Sequence, residues 1–239
     1  LVGAGVSRPP DATHAPPIHP LQHVAGIPES ALSNAVAALL PQRSVPAPWE
    51  TVADVVVWVH RAAAGAADAL APALRGRRTI PLTVGAFVRY RETPVGPYAE
   101  ILAAPVLLAE APLPPASVPF IAVDSIPSIL GGRAEWSLPK ALARFAFAPG
   151  TAQAVGDRWR VDARIRVRPR TIPLTLLLRD RQARPDGGSG LVDVTIRGRA
   201  RVGRVDVDVE GPTLPRWLLP GAHPALVVAG ARMTFGAAR

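Results

Sequence analysis

The chain has 239 residues, 49% of them hydrophobic, enough for one substantial core and too few for two comfortable ones, so a single domain spanning 1–239 is expected. Cysteine is absent, which excludes a disulfide framework and thiolate metal sites. No apolar run reaches the roughly 18 residues of a membrane-spanning helix. The formal charge of +9 raises nucleic acid as a partner, or a field that concentrates a small anionic substrate.

Residues 1–26 carry Pro9, Pro10, Pro16, Pro17 and Pro20 and read as an extended N-terminal arm. Ser30 is a candidate N-cap for a helix from Ala31 to Leu40, which Pro41 stops. Val52 to His60 is β-branched and apolar, a strand. The alanine-rich run from Ala62 to Leu74 reads as a helix weakened by Gly65 and Pro72. Beyond it the pattern is strand: Thr79 to Tyr90, Ala99 to Leu108, Val118 to Val123, Trp159 to Val167, Thr171 to Leu178, Leu191 to Arg197, Val202 to Val209 and Ala225 to Phe235. Asp186-Gly-Gly-Ser-Gly190 has the composition of a hairpin loop. So many strands with so few helices predict a mainly β (α+β) protein, built as a closed or nearly closed antiparallel barrel.

Arg158, Arg160, Arg164, Arg166, Arg168 and Arg170 share one parity, opposite Trp159, Val161, Ala163, Ile165 and Val167. This is the pattern of a strand with one solvated face. Nucleic-acid surfaces interleave aromatics with the basic groups. Here the one aromatic, Trp159, falls on the other face, and no nucleic-acid partner is expected. The five histidines show no metal-ligand spacing, Gly3-Ala-Gly5 lacks the rest of a dinucleotide fingerprint, and Gly188-Ser189-Gly190 is not a nucleophile elbow. No metal is expected.

The 27 basic residues include a single lysine, Lys140. Arginine replaces lysine as a charge or a stacking group, but it cannot lose its proton near neutrality and act as an amine nucleophile. Lys140 closes the segment Asp124-Ser-Ile-Pro-Ser-Ile-Leu-Gly-Gly-Arg-Ala-Glu-Trp-Ser-Leu-Pro-Lys140, and Gly96-Pro-Tyr-Ala-Glu100 lies upstream. Asp124, Pro127, Gly132-Arg133, Trp136, Pro139 and Lys140, together with Gly96, Tyr98 and Glu100, resemble the two signature segments of the acetoacetate decarboxylase family. The resemblance covers residues 83–147 and fades to a similarity of strand pattern elsewhere.

The resemblance implies an antiparallel barrel-like body with a few flanking helices, usually oligomeric, and a cofactor-independent lyase that acts on a small keto acid. On that basis the protein is expected to be cytoplasmic, a homo-oligomer, and without membrane or nucleic-acid partners. Lys140 would form the Schiff base and Glu100 would be the catalytic carboxylate. Tyr98, Arg133, Trp136 and Arg8 would bind substrate, with Trp136 as a pocket wall and Arg133 inclined toward a structural ion pair. For a lysine of ordinary pKa near 10.4 to serve at neutrality it must titrate about three pH units lower, roughly 4 kcal/mol against the charged form. Apolar neighbours such as Ile129, Leu130, Leu138 and Leu142 suggest burial as the cause.

Two positions depart from the family pattern. Gly85 stands where a second glutamate is usual, and Ala141 where a second lysine often follows the first. They leave three readings open: decarboxylation of a β-keto acid, aldol addition and dehydration of a pyruvate-type acid on the same lysine, and a non-catalytic small-molecule-binding member.

Overall fold

The computed structural model describes residues 20–107 and 113–239. Arg8 and most of the expected N-terminal arm lie outside the described residues, as does Leu108. Ten strands form one sheet: β1 (Trp49–Arg61), β2 (Thr79–Glu92), β3 (Tyr98–Leu107), β4 (Phe120–Val123), β5 (Lys140–Leu142), β6 (Arg144–Ala148), β7 (Thr151–Val155), β8 (Arg160–Ala183), β9 (Ser189–Glu210) and β10 (Gly221–Phe235). Their order is β5-β4-β3-β2-β1-β10-β9-β8-β7-β6. Among the described residues helix is confined to α1 (Asn34–Ala37), α2 (Ile126–Trp136) and five short 3-10 turns.

The predicted strands are present, and four of them merge into two. The segments either side of residue 170 are one strand of 24 residues, β8, and the two segments of β9 make one of 22. Irregularities join their halves. β8 shifts register between Val167 and Thr171 opposite Gly203, where an added Cβ would collide with the carbonyl oxygen of Arg166. β10 shifts between Val228 and Arg232, around Gly230 at φ 61°. Such bulges bend a strand and re-aim its faces. The Asp186 loop is the β8–β9 hairpin, in which the Arg184 N–H donates to the Gly188 carbonyl.

The bends let one sheet build two cores. Ala53, Val55, Ala86, Val88, Val192, Val194, Ile196, Val228 and Met233 belong to the first, between β1–β3 and the far halves of β8–β10. Trp58, Phe87, Ile101, Ala103, Phe120, Ala152, Trp159, Val161 and Val205 belong to the second, on the opposite face of the same central strands. Along β8 the arginine alternation holds from Arg160 to Arg166, with Val161 and Ala163 buried between exposed arginines.

Three expectations are corrected. The sheet is mixed and does not close into a barrel: β4 and β5 run parallel. Among the described residues, single-residue bridges through Ala116, to Val106 and to Asp180, stand between β3 and β8 in place of a ladder. Residues 62–74 form two 3-10 turns, Ala64–Ala66 and Pro72–Leu74, in place of a helix, because Gly65 and Pro72 break the run. The helix expected at Ala31 to Leu40 is a single turn capped by Ser33, whose Oγ accepts the Val36 N–H, whereas the Ser30 Oγ accepts the Ile121 N–H. No helix among the described residues is long and apolar enough to cross a membrane.

Candidate active site

A parallel pair needs a crossover, and α2 is the crossover between β4 and β5. Ser125 caps its start by accepting the Ser128 N–H, and Pro127 sits in its first turn. Ser137, at φ 53°, reverses the chain at its end and donates its N–H to the Gly132 carbonyl. Pro139 then directs the chain into β5, which begins with Lys140 beside Ile121 of β4.

The two glycines of α2 set how close this crossover lies. A Cβ on Gly132 would stand 2.5 Å from Cδ of Lys140, and one on Gly131 would stand 2.6 Å from the Trp49 ring. The stem of Lys140 therefore occupies the space that a side chain at 132 would take. Arg133, 1% exposed, donates from Nε to the Lys140 carbonyl at 2.8 Å and from its two other nitrogens to the carbonyls of Leu21 and Ser30. Its partners are backbone carbonyls, not the carboxylate of the expected ion pair. Burial lowers its pKa to about 10, so it remains charged at neutrality. It fixes the backbone of Lys140 and does not line the cavity.

Lys140 is 3% exposed and Glu100 2%. Lys140 Nζ donates to Glu100 Oε2 at 2.7 Å and to Ser128 Oγ at 3.0 Å. The Tyr90 hydroxyl donates to Glu100 Oε1 at 3.2 Å. Nζ lies 5.2 Å from the centroid of the Tyr98 ring, within reach of a cation–π attraction. Glu100 is held by β3, whose ladder sets it opposite Val88 of β2 and Val123 of β4. Asp124 supports this turn of chain by accepting the Ala99 N–H at 2.8 Å.

The charge balance differs from the expectation of a lowered lysine. Burial pulls the Lys140 ammonium down, but Glu100 and Tyr98 together pull it up further, and the net direction is above the usual lysine value. Burial, with Glu100 next, drives the Tyr90 hydroxyl well above its usual value. Burial also raises Tyr98, with the Lys140 charge opposing. The resting site is an ammonium–carboxylate pair enclosed by two neutral phenols and a serine.

Lys140, Glu100, Tyr90 and Tyr98 line one part of a cavity of about 430 Å³ whose other lining residues are apolar or aromatic apart from Arg179 and Asp180. Trp136, Tyr98 and Leu138 line it. The Trp136 indole N–H donates to the Gly236 carbonyl, and its ring meets Trp49 edge-on at 4.9 Å. Leu142 is exposed and lies elsewhere.

Gly85 and Ala141 both lie on the second core's side of the sheet. A Cβ at 85 would collide with the Trp58 ring, and Ala141 packs with Phe120 and Ala143 in that core. Neither position faces the cavity. Sequence reasoning missed Tyr90 and Ser128. The β2–β3 register that pairs Tyr90 with Tyr98 is not a local pattern, but Ser128 lay in plain view inside the signature segment. The His60 and His223 rings lie 5.0 Å apart, tilted by 35°, and no group of three or more potential metal ligands occurs among the described residues.

No protein-family model and no curated protein matches the chain. Solved structures with a similar fold include acetoacetate decarboxylases. One is an acetoacetate decarboxylase from Legionella pneumophila subsp. pneumophila str. Philadelphia 1, at 15% identity over 81% of this chain and 87% of that one, with a TM-score of 0.57. A second, also an acetoacetate decarboxylase, has 13% identity over 87% and 97%, with a TM-score of 0.60. A third is an acetoacetate decarboxylase-like enzyme from Sphingomonas wittichii RW1, at 14% identity over 81% and 92%, with a TM-score of 0.51. The fold of the chain is acetoacetate decarboxylase-like.

Proposed function

We propose that the protein is a cofactor-independent lyase that forms a Schiff base between Lys140 and a keto acid, with decarboxylation of a β-keto acid as its reaction. The observation that carries this reading is the only lysine of the chain, buried, with its Nζ 2.7 Å from an equally buried carboxylate in an apolar cavity. The fold similarity supports it independently. The departures at Gly85 and Ala141 do not weigh against it, since neither position faces the cavity.

The geometry suits the proton movements that the reaction needs. Glu100 Oε2 takes a proton from the Lys140 ammonium, which leaves a neutral amine and a neutral acid in place of two buried charges. The Nζ lone pair attacks the ketone carbon, and the carbonyl oxygen takes one proton from Nζ and one from Glu100 and leaves as water, which restores the Glu100 carboxylate. In the iminium that results, the electron pair of the bond to the carboxylate carbon flows toward nitrogen as carbon dioxide departs. A proton from solvent, relayed through Glu100, then reaches the enamine carbon, and water adds to the iminium so formed to release the ketone and restore the Lys140 amine. Tyr90 steadies Glu100 through its hydrogen bond, and Ser128 orients Nζ.

Borohydride reduction in the presence of acetoacetate tests the reading, because Lys140 is the only internal amine. The expected product is a Lys140 peptide that carries an isopropyl group, the carboxylate having left before reduction. An adduct formed with pyruvate that keeps its carboxylate, without one from acetoacetate, would shift the assignment to aldol chemistry on the same lysine. Labelling confined to the α-amino group with every keto acid would leave a non-catalytic binding protein.

A further inference from the structure

The cavity is much larger than its reactive end requires. At about 30 Å³ for each water-sized group, 430 Å³ holds roughly fourteen such groups, about twice what acetoacetate would fill. Its extra length has a definite course. In the sheet, Val55, Val88 and Glu100 stand at one level, Val57, Ala86 and Leu102 at the next, and Val59, Val84 and Ala104 beyond that. All line the cavity, and so does Val106. Glu100 to Val106 spans roughly 20 Å of strand at about 3.3 Å per residue. Across from them Leu174, Leu176, Leu178 and Ile196 of β8 and β9 form the facing wall. Apart from the site groups, the only charged residues among the described ones that line the cavity are Arg179 and Asp180, and Asp180 bridges through Ala116 to the level of Val106.

Resting on the Schiff-base reading, we infer that the substrate is a carbonyl compound with a long unbranched apolar chain, its carbonyl at Lys140 and its chain laid along the Val57–Ala86–Leu102 and Val59–Val84–Ala104 rows. An apolar trough of this length leaves a short polar acid surrounded by space that it cannot fill, whereas each methylene of a longer chain gains burial. Ala86 and Ala104 are the small residues on the β2 and β3 wall, and they set the width of the trough.

The test uses straight-chain 2-ketones from acetone to 2-undecanone, which cannot lose carbon dioxide, with two measurements on the full chain. One is the ketone concentration that gives half-maximal borohydride trapping at Lys140, read by intact mass. The other is displacement of the apolar fluorophore N-phenyl-1-naphthylamine. Both concentrations should fall about fourfold per added methylene, the equivalent of about 0.8 kcal/mol, until the chain fills the trough. In Ala104→Leu, and separately in Ala86→Leu, the gain should stop at a shorter chain. Acetone and the long ketones trapped at equal concentrations would overturn the inference and leave the Schiff base intact. Displacement that follows chain length with no trapping would keep the ligand's apolar chain and overturn the lysine chemistry. An unmoved breakpoint in both alanine variants would show that the chain does not follow these rows.

Discussion

Removing one partner of the Lys140–Glu100 pair at a time exposes the energetics of the site without any assumption about substrate. At 2.7 Å the two charges attract by about 6 kcal/mol at an effective dielectric of about 20, and each partner alone would be a buried, uncompensated charge. The surviving group limits its own penalty by neutralising. In Glu100→Gln, holding Lys140 as the free amine while the unfolded chain stays protonated costs at most about 5 kcal/mol at pH 7 and about 2 at pH 9, from a reference pKa near 10.4. In Lys140→Met, holding Glu100 as the neutral acid costs at most about 4 kcal/mol at pH 7 and about 2 at pH 5.5, from a reference near 4.3. The slopes are therefore opposite. In Glu100→Gln the unfolded state binds the extra proton, so stability rises with pH. In Lys140→Met the native state binds it, so stability falls with pH. The double variant has no buried charge at this point and should lie within about 2 kcal/mol of the parent, with neither slope. Urea unfolding of the four proteins at pH 5.5, 7 and 9 measures the cycle. Single variants that lose less than about 1 kcal/mol at pH 7, or that share one pH slope, would refute a buried ion pair at the centre of the site.

Lys140→Arg keeps the charge for Glu100 but supplies no amine, so turnover and borohydride trapping should vanish while the circular dichroism spectrum is unchanged; near-normal turnover would end the Schiff-base reading. Gly132→Ala places a Cβ where the Lys140 stem lies and should cost about 1–3 kcal/mol in urea unfolding, with trapping slowed at least tenfold; an unchanged trapping rate would mean that the helix does not position the lysine. The half-buried Asp180 has its pKa raised by burial to about 7, with its Gln182 hydrogen bond opposing. The native state then binds the extra proton between about pH 4 and 7, so stability should fall across that window by up to about 4 kcal/mol, less where water reaches the side chain. Asp180→Asn should remove that fall, and an unchanged pH profile in the variant would refute the assignment.

Alternation of apolar and polar residues marked the strands because a strand's faces are set residue by residue, and the Gly-rich loop at 186–190 marked a hairpin for the same local reason. Lys140 and Glu100 were each legible as single residues, one by its rarity and both by the segments around them. What joined them was not local. They stand forty residues apart and meet only through the β3–β4 ladder and the parallel β4–β5 pair. Helix α2 escaped notice because Pro127, Gly131 and Gly132 lower its propensity and most of its residues are buried, which leaves no amphipathic stripe to read. The split of Gly85 and Ala141 from the cavity, and the failure of the sheet to close, depend on bulges in β8 and β10 that turn each long strand from one core to the other. The direction of the Lys140 pKa was likewise out of reach. Apolar sequence neighbours argue for desolvation alone, and only the tertiary structure brings a carboxylate close enough for Coulomb attraction to outweigh it.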